Sequence, residues 1–209
     1  MRHSLFLIFS VCLLFLSCEK DEAPMPPYVQ ELAEIQTDAQ GFAQTLTLDQ
    51  GEVLKVGNRV GGLKADTLLR VRALYQKSST SIWLSDYAPV LTPHLAHFKP
   101  EVIIHDPVNL IACWRGLHYI NLRLGISSTA EGKHIFGFHE TGLLRYKDGT
   151  QTLQAVLLHD SNKDPQYYTR EAYLSLPLRP LEGRLQTGRD TLELSIHTFK
   201  GWEVRKIVF

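Results

Sequence analysis

The chain has 209 residues, which is enough for one domain or for two small ones. Hydrophobic residues make up 44% of the sequence and charged residues 21%, a composition typical of globular proteins and unlike that of disordered tails or coiled coils. The 22 basic and 22 acidic residues balance. This balance argues against a nucleic-acid-binding protein, because affinity for phosphate depends mainly on clustered lysine and arginine.

The N-terminus has the pattern of a secretory signal. Arg2 and His3 precede an apolar run over residues 5–16 that is interrupted only by Ser10. A positive start followed by such a run is typical of a signal peptide, and the run is too short to span a bilayer, which needs about 20 residues. We therefore predict a signal peptide over residues 1–17. The alternative, a buried core helix, fits poorly with the polar, Pro-rich stretch that follows.

The segment Phe15-Leu16-Ser17-Cys18 resembles a bacterial lipobox, although the usual leucine is displaced by one position. The resemblance implies that Cys18 carries the lipid, including palmitate, and anchors the mature chain without a transmembrane helix. Residues 18–27 then form the lipidated cysteine and a linker. Within it, Glu19-Lys20-Asp21-Glu22 resembles the surface-export signal of Bacteroidetes lipoproteins; the alternative is a solvated charged linker. We expect a protein anchored in the outer membrane and exposed at the cell surface.

The mature chain retains Cys18 and Cys113, since Cys12 leaves with the signal peptide. With Cys18 lipidated, no intramolecular disulfide is possible. Cys113 lies in an apolar, strand-like run over residues 109–114. We interpret it as a small buried hydrophobic residue, with a reactive thiol as the alternative.

Beyond residue 27 the sequence predicts an all-β fold, because short alternating segments recur between Gly, Asp and Asn turns. We predict an OB-type β-barrel domain over residues 28–98. An irregular stretch with three prolines, residues 93–107, marks the junction, and a β-sandwich domain follows over residues 99–209. The predicted strands are Phe42–Leu48, Val53–Val56, Leu68–Tyr75, Ile82–Val90, Tyr119–Leu124, Lys133–Glu140, Thr152–His159, Arg170–Leu178, Leu192–His197 and Glu203–Phe209.

Two turns and one strand are specific enough to predict in detail. Asp148-Gly149 has the sequence of a tight hairpin, and Phe199-Lys200-Gly201-Trp202 predicts a turn into a last strand that is docked in a sheet. In the strand Tyr119–Leu124, alternation places Ile120, Leu122 and Leu124 on one face, and Tyr119, Asn121 and Arg123 on the other.

This arrangement resembles the NigD-like family of Bacteroidetes lipoproteins, which is named from a bacteriocin operon. The resemblance rests on the order and spacing of short segments and implies an OB-type domain followed by a β-sandwich. It supplies no catalytic residues, and the operon link suggests bacteriocin immunity or an accessory role. The segments that carry it are Leu48–Gly51, Leu68–Val71, Ile82–Val90, Asp106–Val108, Leu117–Leu122, Leu158–Asp164 and Phe199–Trp202.

Two groups of residues invite a metal-binding hypothesis. His94 and His97, with His105 and Asp106 close behind, have residue types and spacing found at zinc sites. However, the flanking prolines make the segment irregular, so surface or capping histidines are the simpler interpretation. The Asp160–Asp164 loop has oxygen ligands at alternate positions, and Glu171 falls at the twelfth place of a calcium-loop count. Pro165 stands where that loop needs a glycine, so a hairpin loop is the simpler account. We predict no metal and no cofactor.

The aromatic residues are the remaining candidates for ligand contacts, because exposed rings stack on sugars and dominate protein interfaces. In Tyr167-Tyr168 only one ring is expected to face the core, which leaves the other exposed. For Trp83, Trp114 and Trp202 ordinary sandwich packing is the simpler expectation.

These observations predict a non-enzymatic surface lipoprotein that binds a partner at the cell envelope. The membrane is contacted through the N-terminal lipid, and the partner is an envelope protein, a peptide or a glycan, not nucleic acid. No catalytic residue is assigned, and the ligand-binding residues stay open. One alternative is an envelope hydrolase whose paired carboxylates, roughly 5–10 Å apart, meet only in space. Another is a bacteriocin immunity or accessory protein.

Overall fold

A computed structural model of the chain describes residues 27–209. The predicted signal peptide and Cys18 lie outside the described residues, as does nearly all of the predicted linker. Within the described range the chain forms thirteen β-strands and two short 3-10 helices, with no α-helix. No helix in that range is long and apolar enough to cross a membrane. The prediction of an all-β fold is confirmed.

The first five strands form one antiparallel sheet in the order β3-β2-β1-β4-β5. Its interior face carries a hydrophobic core that includes Ile35, Leu46, Tyr75 and Ile82. The turn between the second and third strands is tightened by Gly51, whose φ of 93° favours glycine. The strands are β1 (Tyr28–Thr37), β2 (Ala43–Leu48), β3 (Val53–Lys55), β4 (Leu68–Lys77) and β5 (Ile82–Pro89).

The predicted OB-type β-barrel does not form as a closed barrel, because this sheet stays open. Its two edge strands, β3 and β5, approach each other at a single bridge between Val56 and Ile82, with a hydrogen bond from the Gly57 amide to the Ile82 carbonyl. β3 has only three residues. A strand this short offers too few backbone groups for a continuous ladder that would close the barrel.

The second half is a β-sandwich, as predicted. A five-stranded sheet in the order β13-β12-β10-β9-β6 faces a three-stranded sheet in the order β11-β8-β7. Alternate residues of both sheets, such as Leu122, Phe138, Leu174 and Leu194, are fully buried between them. The strands are β6 (Leu95–Ala96), β7 (Asn109–Arg115), β8 (Tyr119–Ser128), β9 (Ile135–Arg145), β10 (Gln151–Asp160), β11 (Tyr168–Pro177), β12 (Thr191–Thr198) and β13 (Gly201–Val208).

Local predictions in this half are confirmed. The hairpin at Asp148-Gly149 joins β9 to β10, and Gly149 has a φ of 80°. Phe209 is docked, since its amide donates to the Asp190 carbonyl and its side chain is buried. β10 and β12 run parallel, so the connection between them includes β11 in the opposite sheet. The boundary between residues 98 and 99 stays a prediction.

β8 is buried on both of its faces, which the alternating pattern did not predict. Ile120, Leu122 and Leu124 pack into the sandwich as expected. Tyr119 and Asn121, placed on the other face, are buried as well. Their face of the three-stranded sheet packs against the N-terminal sheet, so the two halves of the chain share a polar interface.

Candidate functional site: the interface between the two halves

A buried polar cluster centred on Arg70 joins the two halves of the chain. The Nη2 atom of Arg70 donates to Oδ2 of Asp49 and to Oδ1 of Asn121, both at 2.9 Å. Its Nε atom donates to Oγ of Ser175 at 3.2 Å. Asp49 comes from the turn after β2, whereas Asn121 and Ser175 come from β8 and β11. One guanidinium therefore links the N-terminal sheet to two strands of the sandwich.

The partners of Arg70 also bind one another. The Asn121 amide donates to Oδ2 of Asp49 at 2.8 Å, and the Ser175 hydroxyl donates to Oδ1 of Asn121 at 2.7 Å. Among residues 27–209, no buried side-chain nitrogen or oxygen lacks a hydrogen-bond partner. Because a buried charge is tolerated only when it is paired and hydrogen-bonded, this cluster holds the two halves in one relative position.

A second polar contact at the same interface involves Glu34 on β1. Its Oε1 accepts from the Tyr119 hydroxyl at 2.7 Å, and its two oxygens accept from both Nη atoms of Arg179 at 2.6 and 2.8 Å. Burial alone raises the pKa of Glu34, but the hydrogen bonds from Arg179 and Tyr119 outweigh it, and the net pKa lies below the usual value. Glu34 is therefore held as a carboxylate.

A cleft of about 290 Å³ opens beside the Arg70 cluster, between the two halves. This inter-half cleft lies where ligand sites are common, at the boundary of two packed units. Both halves contribute to its lining, which consists of Gln30, Glu31, Leu32, Asp49, Gln50, Arg72, Trp114 and Tyr173.

Four polar side chains of the inter-half cleft have no hydrogen-bond partner in the described part of the chain. They are the side chains of Gln30, Gln50, Arg72 and Trp114. Arg72 instead lies over the Tyr173 ring, 5.1 Å from its centroid. All four groups carry N–H donors, and the two amides also accept. The cleft is thus equipped to hydrogen-bond a polar ligand beside an indole ring.

Both carboxylates of the inter-half cleft accept hydrogen bonds from neighbouring side chains. Glu31 accepts from the Tyr75 hydroxyl at 2.8 Å through its Oε2 atom. Asp49 is paired with Arg70 and also accepts from Asn121. Both carboxylates are therefore hydrogen-bonded to neighbouring side chains in this structure.

The histidines considered for zinc are not brought together. The His94 side chain is exposed, and His97, which is 74% exposed, lies 3.7 Å from Glu140. Nδ1 of His105 faces the Leu157 carbonyl at 3.4 Å, while Asp106 accepts from the Ser161 amide at 2.9 Å. Across residues 27–209, no three His, Cys, Asp or Glu side chains converge as a metal-binding group.

The oxygen ligands considered for calcium are used elsewhere. Asp160 accepts from the Asn162 amide, and Glu171 forms an ion pair with Arg123 on β8. Asp164 accepts from the Ser128 and Thr129 hydroxyls at 2.7 and 2.6 Å. Their carboxylates thus face three different sets of partners, as expected for an ordinary hairpin loop.

Asp164 contacts a buried pair of histidines, His134 and His159, which the sequence analysis did not single out. Nδ1 of His134 lies 2.7 Å from Nε2 of His159, and Nε2 of His134 lies 3.1 Å from Oδ2 of Asp164. Nδ1 of His159 faces the Asp106 carbonyl at 3.0 Å. Burial, and then the nearby His134, lower the pKa of His159. The two histidines are 25 residues apart, so no short motif announces them.

Cys113 and the two consecutive tyrosines, Tyr167 and Tyr168, differ in how far they are buried. Cys113 is half-buried, and burial raises the pKa of its thiol to about 11. Tyr167 and Tyr168 are both exposed, at 80% and 48%. The expected exposed ring is therefore present, and the second ring is exposed as well, because Tyr167 precedes β11 and Tyr168 opens that strand.

The tryptophans also depart from the expected packing. Trp83 and Trp202 are exposed, at 60% and 53%. Trp202 lies on the edge strand β13, where it contacts the rings of His105 and His197 with centroids 5.1 and 4.9 Å away. Only Trp114 is partly buried, and it lines the inter-half cleft.

Comparison with known proteins identifies the family. Residues 92–209 match the model of the NigD-like C-terminal β-sandwich domain, which is more than half of the chain. The chain belongs to the NigD-like family. This result confirms the resemblance predicted from the sequence. No curated protein sequence is similar enough to this NigD-like chain to match it.

Solved structures share the fold of the NigD-like chain over both of its halves. A NigD-like immunity protein from Bacteroides caccae is 25% identical, with a TM-score of 0.63 over 87% of this chain and 92% of that one. A protein of unknown function from Bacteroides vulgatus is 20% identical, with a TM-score of 0.66 over 88% and 91%. A protein described as a candidate lipoprotein, from Bacteroides fragilis, is 12% identical, with a TM-score of 0.63 over 88% and 98%.

Proposed function

We propose that this NigD-like chain is a lipid-anchored protein of the outer membrane that binds a glycan at the cell surface without catalysing a reaction. The observation that carries the proposal is the inter-half cleft, in which the side chains of Gln30, Gln50, Arg72 and Trp114 lack hydrogen-bond partners among the described residues. An indole ring packs against the apolar face of a sugar. Planar amide and guanidinium groups bind its hydroxyls in pairs.

The anchor is supported by the sequence pattern around Cys18 and by the relative from Bacteroides fragilis that is described as a candidate lipoprotein. The export-like acidic segment after Cys18 supports exposure at the cell surface. A rigid junction suits a binding protein, because the Arg70 cluster positions the two walls of the cleft before any ligand arrives.

A thermal-shift screen tests the glycan proposal. A soluble fragment that starts at residue 24 keeps every strand and both hydrophobic cores. A ligand at a hundred times its Kd stabilises the folded state by about 2.7 kcal/mol, which is a shift of several degrees. We expect at least one envelope glycan to shift the Tm and short peptides not to do so.

Two tryptophan variants locate the glycan site. Trp114→Phe removes the indole N–H from the inter-half cleft and should weaken glycan binding by roughly tenfold or more. Trp83→Phe is the matched control, because Trp83 lies exposed on β5 away from the cleft lining. Equal effects of the two variants, or no glycan shift at all, would contradict the proposal.

A role in bacteriocin immunity is the second candidate, because the relative from Bacteroides caccae is named a NigD-like immunity protein. In that case the screen gives the opposite result: peptide toxins shift the Tm and glycans do not. The hydrolase hypothesis predicts turnover. Cleavage of a bound glycan by the fragment, abolished in Glu31→Gln, would replace the binding proposal with an enzymatic one.

A further inference from the structure

A second cavity, of about 530 Å³, lies on the outer face of the sandwich and shares no lining residue with the inter-half cleft. The segment 98–104, which precedes β7, covers the ends of β9 and β10 there. The cavity lies between this segment and the sheet. Its apolar lining consists of Phe98, Val102 and Ile104 from the segment and Ile135, Phe136, Gly137 and Leu158 from the sheet.

The outer cavity is formed without a ligand, because hydrogen bonds hold the segment above the sheet. The Phe98 amide donates to Nδ1 of His139 at 3.0 Å, and the Ile104 carbonyl accepts from the His159 amide at 3.0 Å. Gly137 leaves the floor open: a Cβ there would lie 3.4 Å from Phe98 and 3.7 Å from Leu158. A side chain at this position would extend into the space between them.

Part of the apolar lining of the outer cavity is exposed to solvent. Val102 is 55% exposed and Ile135 is 61% exposed, both at its rim. They differ in this from residues such as Leu122 and Leu174, which are fully buried in the sandwich core. Apolar groups that remain in contact with water favour any ligand that covers them with an apolar surface.

Two carboxylates lie at the same rim. Glu101 and Asp160 line the outer cavity, and within residues 27–209 neither forms an ion pair. Asp160 accepts one hydrogen bond, from the backbone N–H of Asn162 at 2.7 Å. The neighbouring Lys99 and Lys133 are exposed and do not line the cavity. The rim is therefore negative above an apolar floor.

We propose that the outer cavity binds an amphipathic cation, in which an apolar body carries one ammonium or guanidinium group. The apolar body fills the space above Gly137, and the cationic group faces Glu101 and Asp160. An anionic ligand of the same shape is repelled by both carboxylates, and a neutral one leaves them unpaired. This site is independent of the proposed glycan site.

Three probes of equal chain length test the proposal by titration calorimetry on the fragment from residue 24. They are octylammonium, 1-octanol and octanoate, which at pH 7 carry a positive charge, no charge and a negative charge. We expect octylammonium to bind roughly tenfold more tightly than octanoate, with octanol between them. In Glu101→Gln/Asp160→Asn this preference should vanish while octanol binding is unchanged.

Gly137→Val places two methyl groups on the floor of the outer cavity, between Phe98 and Leu158, and should weaken binding of all three probes. Gly142→Val is the matched control on the same strand, because a Cβ there meets only the Gln154 side chain, at 3.5 Å. Cooperative thermal unfolding of each variant confirms that it is folded. Octylammonium binding to folded Gly137→Val that equals binding to the unmodified fragment, octanoate binding as tightly as octylammonium, or no binding of any probe would each overturn the proposal.

Discussion

Nδ1 of His134 lies 2.7 Å from Nε2 of His159 inside the sandwich, and each ring has a polar partner on its other side. The Asp106 carbonyl only accepts, so Nδ1 of His159 donates to it. The Asp164 carboxylate, whose pKa is lowered above all by the Thr129 hydroxyl, accepts from Nε2 of His134. The His134 ring is therefore held between the Asp164 carboxylate and the His159 ring.

The lowered pKa of the buried His159 predicts loss of stability on mild acidification. Because burial, and then the neighbouring His134, lower the pKa of His159, the folded chain resists a proton that the unfolded chain accepts below pH about 6.5. A histidine whose pKa is lowered by folding contributes stability above that pH, and the contribution is lost as the pH falls. The other groups that face the pair are Asp106, Asp160 and Asp164. Hydrogen bonds from Ser161 and Thr129 hold the pKa values of the Asp106 and Asp164 carboxyls below their usual value.

Urea unfolding at pH 7 and pH 5 measures this loss. We expect the unfolding free energy of the fragment from residue 24 to fall between these values, and to fall less in His159→Gln. His94→Gln is the control, because His94 is exposed and its removal leaves the slope unchanged. A slope that is the same in all three proteins contradicts a lowered pKa of His159 in the folded chain.

The Arg70 cluster predicts a large cost for removing its carboxylate. Asp49→Ala leaves a buried guanidinium without its counter-charge, and we expect a loss of about 2–4 kcal/mol of unfolding free energy. Glu52→Ala, in the same turn, breaks the exposed pair between Glu52 and Lys77 and should cost less than about 1 kcal/mol. Chemical denaturation of both variants decides the matter; similar losses would mean that the cluster does not hold the two halves together.

The lipid anchor predicts two different outcomes for two nearby cysteines. Cys18→Ala removes the acceptor of the lipid and should release the full-length protein from the membrane fraction. Cys12→Ala changes only the predicted signal peptide, so the protein should stay in that fraction. Immunoblots of separated fractions give the result. A Cys18→Ala protein that remains fully membrane-bound would refute the lipoprotein assignment.

The Cys113 thiol is predicted to be slow to react. Its pKa of about 11 leaves little thiolate at pH 8, and the thiolate is the reactive form. In the fragment from residue 24, Cys113 is the sole cysteine, so one rate describes the whole protein. We expect alkylation by iodoacetamide to be at least about tenfold slower in the native fragment than in urea. Equal rates would show an activated or freely accessible thiol.

Most of the local structure follows from the sequence. Alternation located the strands around Leu68 and Leu192, and Asp148-Gly149 predicted its hairpin, because both depend on residues that are close along the chain. Barrel closure did not follow, because it depends on whether β3 and β5 meet at the far edges of one sheet.

By itself the sequence determined an all-β chain, its sandwich half and its family resemblance. Only the tertiary structure decided the sites. Arg70 and Ser175 are 105 residues apart, and the two partners of the histidine pair, the Asp106 carbonyl and the Asp164 carboxylate, come from loops that no motif connects. The alternation of apolar and polar residues identifies the apolar face of each strand. It does not show whether the polar face is buried by a second sheet. The Arg70 cluster, the inter-half cleft and the outer cavity all arise where such surfaces meet.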